Sequence, residues 1–335
     1  MQPLKSREPF QEEFEAQDRS QNPIAVVAMG GHAFMQHGER GTIEQHHRNA
    51  SEVSAVLMNL VERDYNLVIT HGNGPQVGQL LLQGDLTREQ VEAMPLDVLV
   101  ADTEGWLGYV LQQALLNQLR RRNIQRYVVS MITQVQVDKR DEAFENPTKP
   151  VGRFLTEEEA KQRAEELGWT VAEDAGRGWR RVVPSPKPVK VVQRYMIRDA
   201  AKQGHIVIAA GGGGIPIIKN AHDDYSGVEA VIDKDLTSSI LAASIGAEVL
   251  IILTDVEQVY VDFRKPTQRP LGAVTMEEAE RLIRERHFPK GSMGPKVEAI
   301  YHFLRNGGRR GMITNASTLE AALEGRGGTH FVGRL

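Results

Sequence analysis

Val68 to Gly78 reads VITHGNGPQVG, a β-branched apolar run that stops at His71-Gly72-Asn73-Gly74-Pro75. Two glycines one residue apart followed by proline end a strand, because the backbone there takes conformations a side chain would forbid and proline cannot donate to a ladder. With Pro75 in the first turn of a helix, the bare N–H groups of the loop lie at a helix N-terminus, the geometry that holds a phosphate. One Gly-x-Gly loop by itself reads first as an ordinary strand-to-helix turn. A functional reading needs a second loop of the same kind.

Upstream, Ile24 to Phe34 reads IAVVAMGGHAF, a short buried strand running into Gly30-Gly31. Between the two strands a polar connection carries Gly38, Gly41, His37, His46 and His47, followed by a helix expected over 49–63 with Val53, Val56, Leu57 and Leu60 on one face. The histidines lack carboxylate or cysteine partners at ligand spacing, so we read a solvated loop rather than a metal site. Strand, helix and strand in this order form a right-handed crossover with a parallel pair. Both glycine loops then sit at carboxyl ends of parallel strands, where open α/β sheets bind ligands.

The chain has 335 residues, enough for one large α/β domain with an inserted piece or for two lobes. Its 41% hydrophobic and 25% charged residues are ordinary for a globular protein, and its net charge of -4 offers no attraction to nucleic acid or an anionic membrane. No apolar run is long enough to span a bilayer. Without cysteine there is no disulfide, thiolate chemistry or thiolate-bound metal, which is compatible with a cytoplasmic home. Arginine supplies 28 of the 40 Lys and Arg residues, so a lysine inside a Gly- or Pro-rich motif stands out. Lysine is the compact charge that reaches a phosphate.

Residues 1–23 are polar, mixed in charge and read as a disordered tail. Residues 75–122 read as mostly helical and 127–137 as one strand, YVVSMITQVQV. The segment 138–188 is rich in charge, Gly and Pro, contains one amphipathic helix, TEEEAKQRAEELGW, and is too small for its own core, so we read an inserted protruding lid. It carries Lys149 between Pro147 and Pro150 in NPTKP. Alternation of strand and helix resumes with 205–210 ending in Gly211 to Gly214, then Lys234-Asp235 before a helix, then the strand EVLIILT followed by Asp255. Lys290-Gly291-Ser292-Met293-Gly294-Pro295-Lys296 introduces a further helix, and the chain closes strand, helix, strand. The expected fold is an open, mainly parallel α/β sheet sandwiched between helices, occupying residues 24–335.

Several glycine-rich strand ends, lysines in turns and an adjacent Lys-Asp pair suit phosphate handling: backbone N–H groups cradle oxygens while lysines neutralise the charge of transfer. Walker A, protein-kinase and Rossmann signatures are all absent. At these residues the chain resembles the carbamate kinases of the amino acid kinase family, from about Ile24 to Val332, through VVAMGGHAF, LVITHGNGPQVGQLLLQ, MPLDV, AFENPTKPVG, GRGWRRVVPSPKP, AAGGGGIP, AVIDKDLTSSILA, TDVEQVY and GSMGPKVEA in this order. The resemblance implies a homodimer and reversible phosphoryl transfer between ATP and carbamate with Mg2+. It also implies roles: Gly30, Gly31, Gly72, Asn73 and Gly74 as the phosphoryl cradle, and Lys149 reaching the carbamoyl end. Lys234 would bridge the phosphates, Asp235 orient the lysines, Lys296 hold the terminal phosphates, and Asp255 and Tyr260 line the nucleotide pocket. No metal ligand among the side chains is implied. The family pattern has Asn after the first paired glycines, where this chain has His32. An imidazole there is compatible with a tolerated substitution, an altered pH dependence, or a weakened site that binds nucleotide and carbamoyl phosphate as a regulator. The insert and NPTKP argue against a sibling kinase acting on another acyl carboxylate or on a nucleoside monophosphate.

Overall fold

Strands covered on both faces read as continuous apolar runs rather than alternating ones, and Ile24–Met29 and Asn66–His71 are buried at every position. The computed structural model describes residues 18–36, 38–174, 178–288 and 292–333. Residues 1–17 of the polar tail, His37, Lys290, Gly291 and the side chain of His32 lie outside what is described. The tail's remaining residues, 18–23, meet the sheet: Asn66 Nδ2 donates to the Arg19 carbonyl at 2.8 Å and its backbone N–H to that of Pro23 at 2.9 Å.

Eight strands form the main sheet, in the spatial order Ala273–Thr275, Thr329–Val332, Arg310–Thr314, Val249–Leu253, Ile24–Met29, Asn66–His71, Ile206–Ala209 and Val128–Met131. Every neighbouring pair is parallel except Arg310–Thr314 with Thr329–Val332. Side chains of one strand alternate between the two cores. Ala25, Val27 and Met29 pack with α1 (Ile43–Val61), α3 (Leu96–Arg121) and α9 (Leu319–Leu323). Ile24, Val26 and Ala28 pack with α5 (Arg194–Lys202), α6 (Lys234–Ser244), α7 (Met276–Arg284) and α8 (Met293–Arg305). The first crossover helix starts earlier than its apolar face indicates because Thr42 and Gln45 form a capping box ahead of it, worth about 1 kcal/mol.

The stretch 127–137 is two strands, not one. Val128–Met131 closes the main sheet, whereas Gln134–Val137 joins a four-stranded sheet with Pro188–Val191, Ile215–Lys219 and Tyr225–Gly227. The break has a side-chain cause. Buried Glu104 of α3 accepts the Thr133 N–H at 2.7 Å, and the Thr133 hydroxyl donates to the Met131 carbonyl at 2.7 Å, so neither group remains for a ladder. Burial holds the Glu104 carboxyl well above its ordinary pKa, against the pull of the Thr133 N–H.

Beyond this turn, Lys149–Leu155, Val171–Glu173 and Trp179–Val183 form a separate three-stranded antiparallel sheet with α4 (Glu157–Leu167). Its Val151 and Val183 complete a cluster with Val77, Leu96, Leu99 and Val100, so this piece packs on α2 (Gly74–Thr87) and α3 instead of enclosing a core of its own.

His71 ends the second strand, fully enclosed, edge-on to the Phe34 ring at 5.2 Å, with Nδ1 donating to the Gly72 carbonyl at 3.1 Å. Burial, reinforced by the Lys234 ammonium and opposed by the Gly72 carbonyl, lowers its pKa from 6.5 to about 4. An unfolded chain therefore binds a proton here between those values that the folded chain refuses, and stability falls as pH drops from about 6.5 to 4, by on the order of 3 kcal/mol. Denaturant titrations at pH 6.5 and 4.5 should find a smaller acid loss in His71→Asn than in the parent; equal losses would mean His71 is not held neutral.

Candidate active site

Adjacent parallel strands bring the two glycine loops into contact. Met29 pairs with His71 and Leu253 on either side, the Gly72 N–H donates to the Met29 carbonyl at 3.0 Å, and the Gly30 N–H donates to that of Leu253 at 3.2 Å. A Cβ on Gly72 would stand 2.9 Å from the Gly31 nitrogen, so only glycine lets these backbones approach so closely. Gly74 opens α2 with Pro75 in its first turn, as the fixed φ of proline favours. Asn73 precedes it, yet its side chain does not cap the helix. Asn73 Nδ2 donates to Thr103 Oγ1 at 2.8 Å in the interior, so no side chain of the N-cap residue occupies the first N–H groups of α2, the kind of terminus that suits an anion. Gly30 and Gly31 thus lie against Gly72, with Asn73 and Gly74 following, at the carboxyl ends of the two strands. His32, the next residue after Gly31, lies in the turn Gly31–Ala33.

The lysines come from elsewhere in the chain. Lys234 is the first residue of α6 and Lys296 the fourth of α8. A cation at a helix N-terminus is opposed by the helix dipole, so these positions cost stability unless an anion compensates. Asp235 does so: its two oxygens accept from Lys234 Nζ at 2.5 Å and Lys296 Nζ at 2.9 Å, with the carboxylate side chain only 5% exposed. Burial pushes the Asp235 pKa up, but the two ammonium groups and their hydrogen bonds overcome it and hold the carboxyl ionised, at about 2.

Two further links tie lysines to cradle. Thr70, next to the loop, stands 2.6 Å from the Ser238 hydroxyl, which itself donates to the Lys234 carbonyl at 2.6 Å. On the other side, Gly213 has φ +99°, and a Cβ there would meet the Ile232 carbonyl oxygen at 2.3 Å, so the third glycine loop lies against the residues leading into α6. Thr237 Oγ1 donates to the Gly213 carbonyl at 2.8 Å.

Lys149, at the start of the outlying sheet, points Nζ at Asp233 Oδ2, 3.4 Å away. Lys296 also lines a cleft of about 320 Å³ together with Asp255, Tyr260, Phe263, Gln258 and Met293. This cleft brings Lys296 to Asp255 and Tyr260, which lie well upstream of it in the sequence. Among the described residues, no three His, Cys, Asp or Glu side chains gather at metal-binding spacing.

Among the contributors that sequence alone does not single out are Asp233, Phe263 and Met293. Asp233 carries a helix-start signal, aspartate before an apolar run, that went unused. Phe263 and Met293 carry no such signal, since a lone apolar residue near a loop reads equally as core.

The amino acid kinase family matches residues 23–315 of the chain. The carbamate kinase of Thermococcus kodakarensis is 48% identical over 92% of this chain and 98% of its own length. That of Pyrococcus horikoshii is 48% identical over 91% and 97%. A solved structure of carbamate kinase from Giardia lamblia bound to AMP-PNP superposes with a TM-score of 0.88 at 40% identity, covering 94% of this chain and all of that one. By sequence over nearly its whole length and by fold, the chain belongs to the amino acid kinase family, where it stands among the carbamate kinases.

Proposed function

We propose that the protein transfers a phosphoryl group reversibly between ATP and carbamate, making ATP from ADP and carbamoyl phosphate in one direction. The observation that carries this is the Asp235 clamp, which holds Lys234 and Lys296 beside an open backbone cradle. Both lysines stand where helix dipoles disfavour them, an arrangement that stabilises a highly anionic ligand when one binds.

The carbamate oxygen attacks the terminal phosphorus; a P–O bond forms to carbamate and the bond to the bridging oxygen of ADP breaks. The attacking oxygen is already unprotonated, so no general base is required. His71, buried, neutral and bonded to its own loop, is not placed to act as one. The N–H groups of Gly30, Gly31, Gly72, Asn73 and Gly74 receive the transferring phosphoryl oxygens. Lys234 spans donor and acceptor oxygens as charge redistributes, Lys296 holds the terminal phosphates of the nucleotide, and Asp235 keeps both ammonium groups aimed. The adenosine end lies by Tyr260 and Phe263, near Asp255. A Mg2+ ion bound with the nucleotide would supply further neutralisation of its phosphates. Lys149 meets the carbamoyl end from the outlying sheet, which acts as a lid.

The intact lysine–aspartate clamp supports an active enzyme over a binding protein disabled at His32. We further read the enzyme as a cytoplasmic homodimer. An edge strand, Val128–Met131, and the neighbouring α3 leave Tyr109, Tyr127 and Ile132 exposed, an apolar surface of the kind a second copy covers. Light scattering should give twice the chain mass for the parent and a shift toward one chain mass for Tyr109→Arg; a monomeric parent would rule the dimer out.

In a coupled assay of ATP formation from ADP and carbamoyl phosphate, the parent should turn over, and Lys234→Ala should lose on the order of 10²-fold or more in kcat, as expected for one preorganised transition-state donor. Tight nucleotide binding with no parent turnover would favour a regulator instead. For Lys149→Ala the defect should fall on the KM for carbamoyl phosphate with the KM for ADP little changed, and equal damage to both would displace the lid from this role.

A further inference from the structure

Asp233 does two things with one carboxylate. Its backbone is extended at the N-cap of α6, and Oδ1 accepts from the N–H groups of Asp235 at 3.0 Å and Leu236 at 3.4 Å, fixing the first turn on which Lys234 and Asp235 stand. Its other oxygen, Oδ2, faces Lys149 Nζ at 3.4 Å. Lys149 belongs to the outlying sheet, where it pairs with Val183. A single side chain therefore joins the helix that carries one catalytic lysine to the ammonium of another.

The two ion-pair systems differ in a way that fits different tasks. The Asp235 pairs are short and enclosed. The Asp233–Lys149 pair is longer, with side chains 22% and 37% exposed. At this length and with both side chains partly open to water the pair is weaker than the enclosed Asp235 pairs, so an arriving anion can take Lys149 over at little cost. Three ammonium groups face two carboxylates here, and the missing negative charge is what a phosphate ligand supplies.

We infer that Asp233 is a positioning residue, which parks Lys149 at the mouth of the site before the acyl phosphate binds, so that the lid lysine is pre-aimed while the same residue caps α6. This rests on the carbamate kinase reading above. Parking lowers the conformational freedom Lys149 must lose on binding, and its loss should therefore appear in substrate capture rather than in the chemical step.

Asp233→Asn separates the two roles, because Asn caps a helix as well as Asp but lacks the charge that holds an ammonium group. Steady-state kinetics should find the KM for carbamoyl phosphate raised about two- to fivefold, the range an exposed pair supports, with a smaller change in kcat, an unchanged KM for ADP and an unchanged Tm. Asp233→Ala removes the cap too and should also lower Tm. The deciding comparison is a double-mutant cycle with Lys149→Ala: once Lys149 is gone, Asp233→Asn should add nothing to the KM for carbamoyl phosphate. Full additivity of the two effects, or a fall in kcat that exceeds the rise in KM, would overturn the inference. A parent without carbamoyl phosphate turnover would instead remove the reading on which it rests. In that event hydrogen exchange decides the pairing alone: faster exchange of Lys149–Leu155 in Asp233→Asn than in the ligand-free parent supports it, and identical exchange rules it out.

Discussion

One carboxylate shared between two ammonium groups sets the geometry of this molecule's site. Asp235 stands between Lys234 and Lys296, which reach it from the N-terminal turns of two different helices. Each helix terminus repels the lysine it carries, and each lysine repels the other. Without the carboxylate the arrangement would spread apart, leaving partly buried cations unpaired at considerable cost. The clamp in turn requires α6 and α8 to lie side by side on one face of the sheet, which their buried residues, Leu241 and Ala242 on one and Val297, Ile300 and Phe303 on the other, secure through a common core. Packing far from the chemistry thus fixes the spacing of the charges.

The glycine loops are fastened to the clamp by short polar contacts in addition to the shared apolar core. Thr70 touches Ser238, Ser238 bonds to the carbonyl of Lys234, and Thr237 bonds to the Gly213 carbonyl. A one-residue slip of the Asn66–His71 strand would turn Thr70 to the other face of the sheet and break this chain of contacts. Register in the sheet and aim of the lysine are in this sense the same constraint. Such a rigid template suits phosphoryl transfer, where catalysis consists mostly of positioning and charge stabilisation.

Much of this was legible because glycine, proline and lysine carry strong local meaning. The loops at Gly30-Gly31 and Gly72-Asn73-Gly74 could be placed at parallel strand ends, since an apolar run that stops abruptly at glycine marks where a buried strand leaves its sheet. What stayed hidden depended on partners distant in sequence. The division of 127–137 between two sheets follows from Glu104, 29 residues upstream, capturing the Thr133 N–H. Asn73 looks like a helix cap from its position, yet Thr103 takes its side chain. Asp233 was passed over because helix capping alone accounts for an aspartate at that place, and the task of its second oxygen becomes visible only when Lys149 arrives from the outlying sheet.

Rigid and exchangeable ion pairs are divided along the same line as the two bodies of the protein. Lys234 and Lys296, both on helices of the main domain, are bound to an enclosed carboxylate whose low pKa keeps it charged through any neutral or mildly acidic condition. Lys149, on the separate sheet that packs against α2 and α3, has a half-buried partner at longer range. A phosphoryl group in flight needs fixed charges, because reorganisation at the moment of transfer would erase their advantage. A substrate entering and leaving needs a charge that can be handed over. Placing the first kind on the helices of the main sheet and the second on the outlying sheet would let Lys149 change partners without disturbing the enclosed pairs of Asp235.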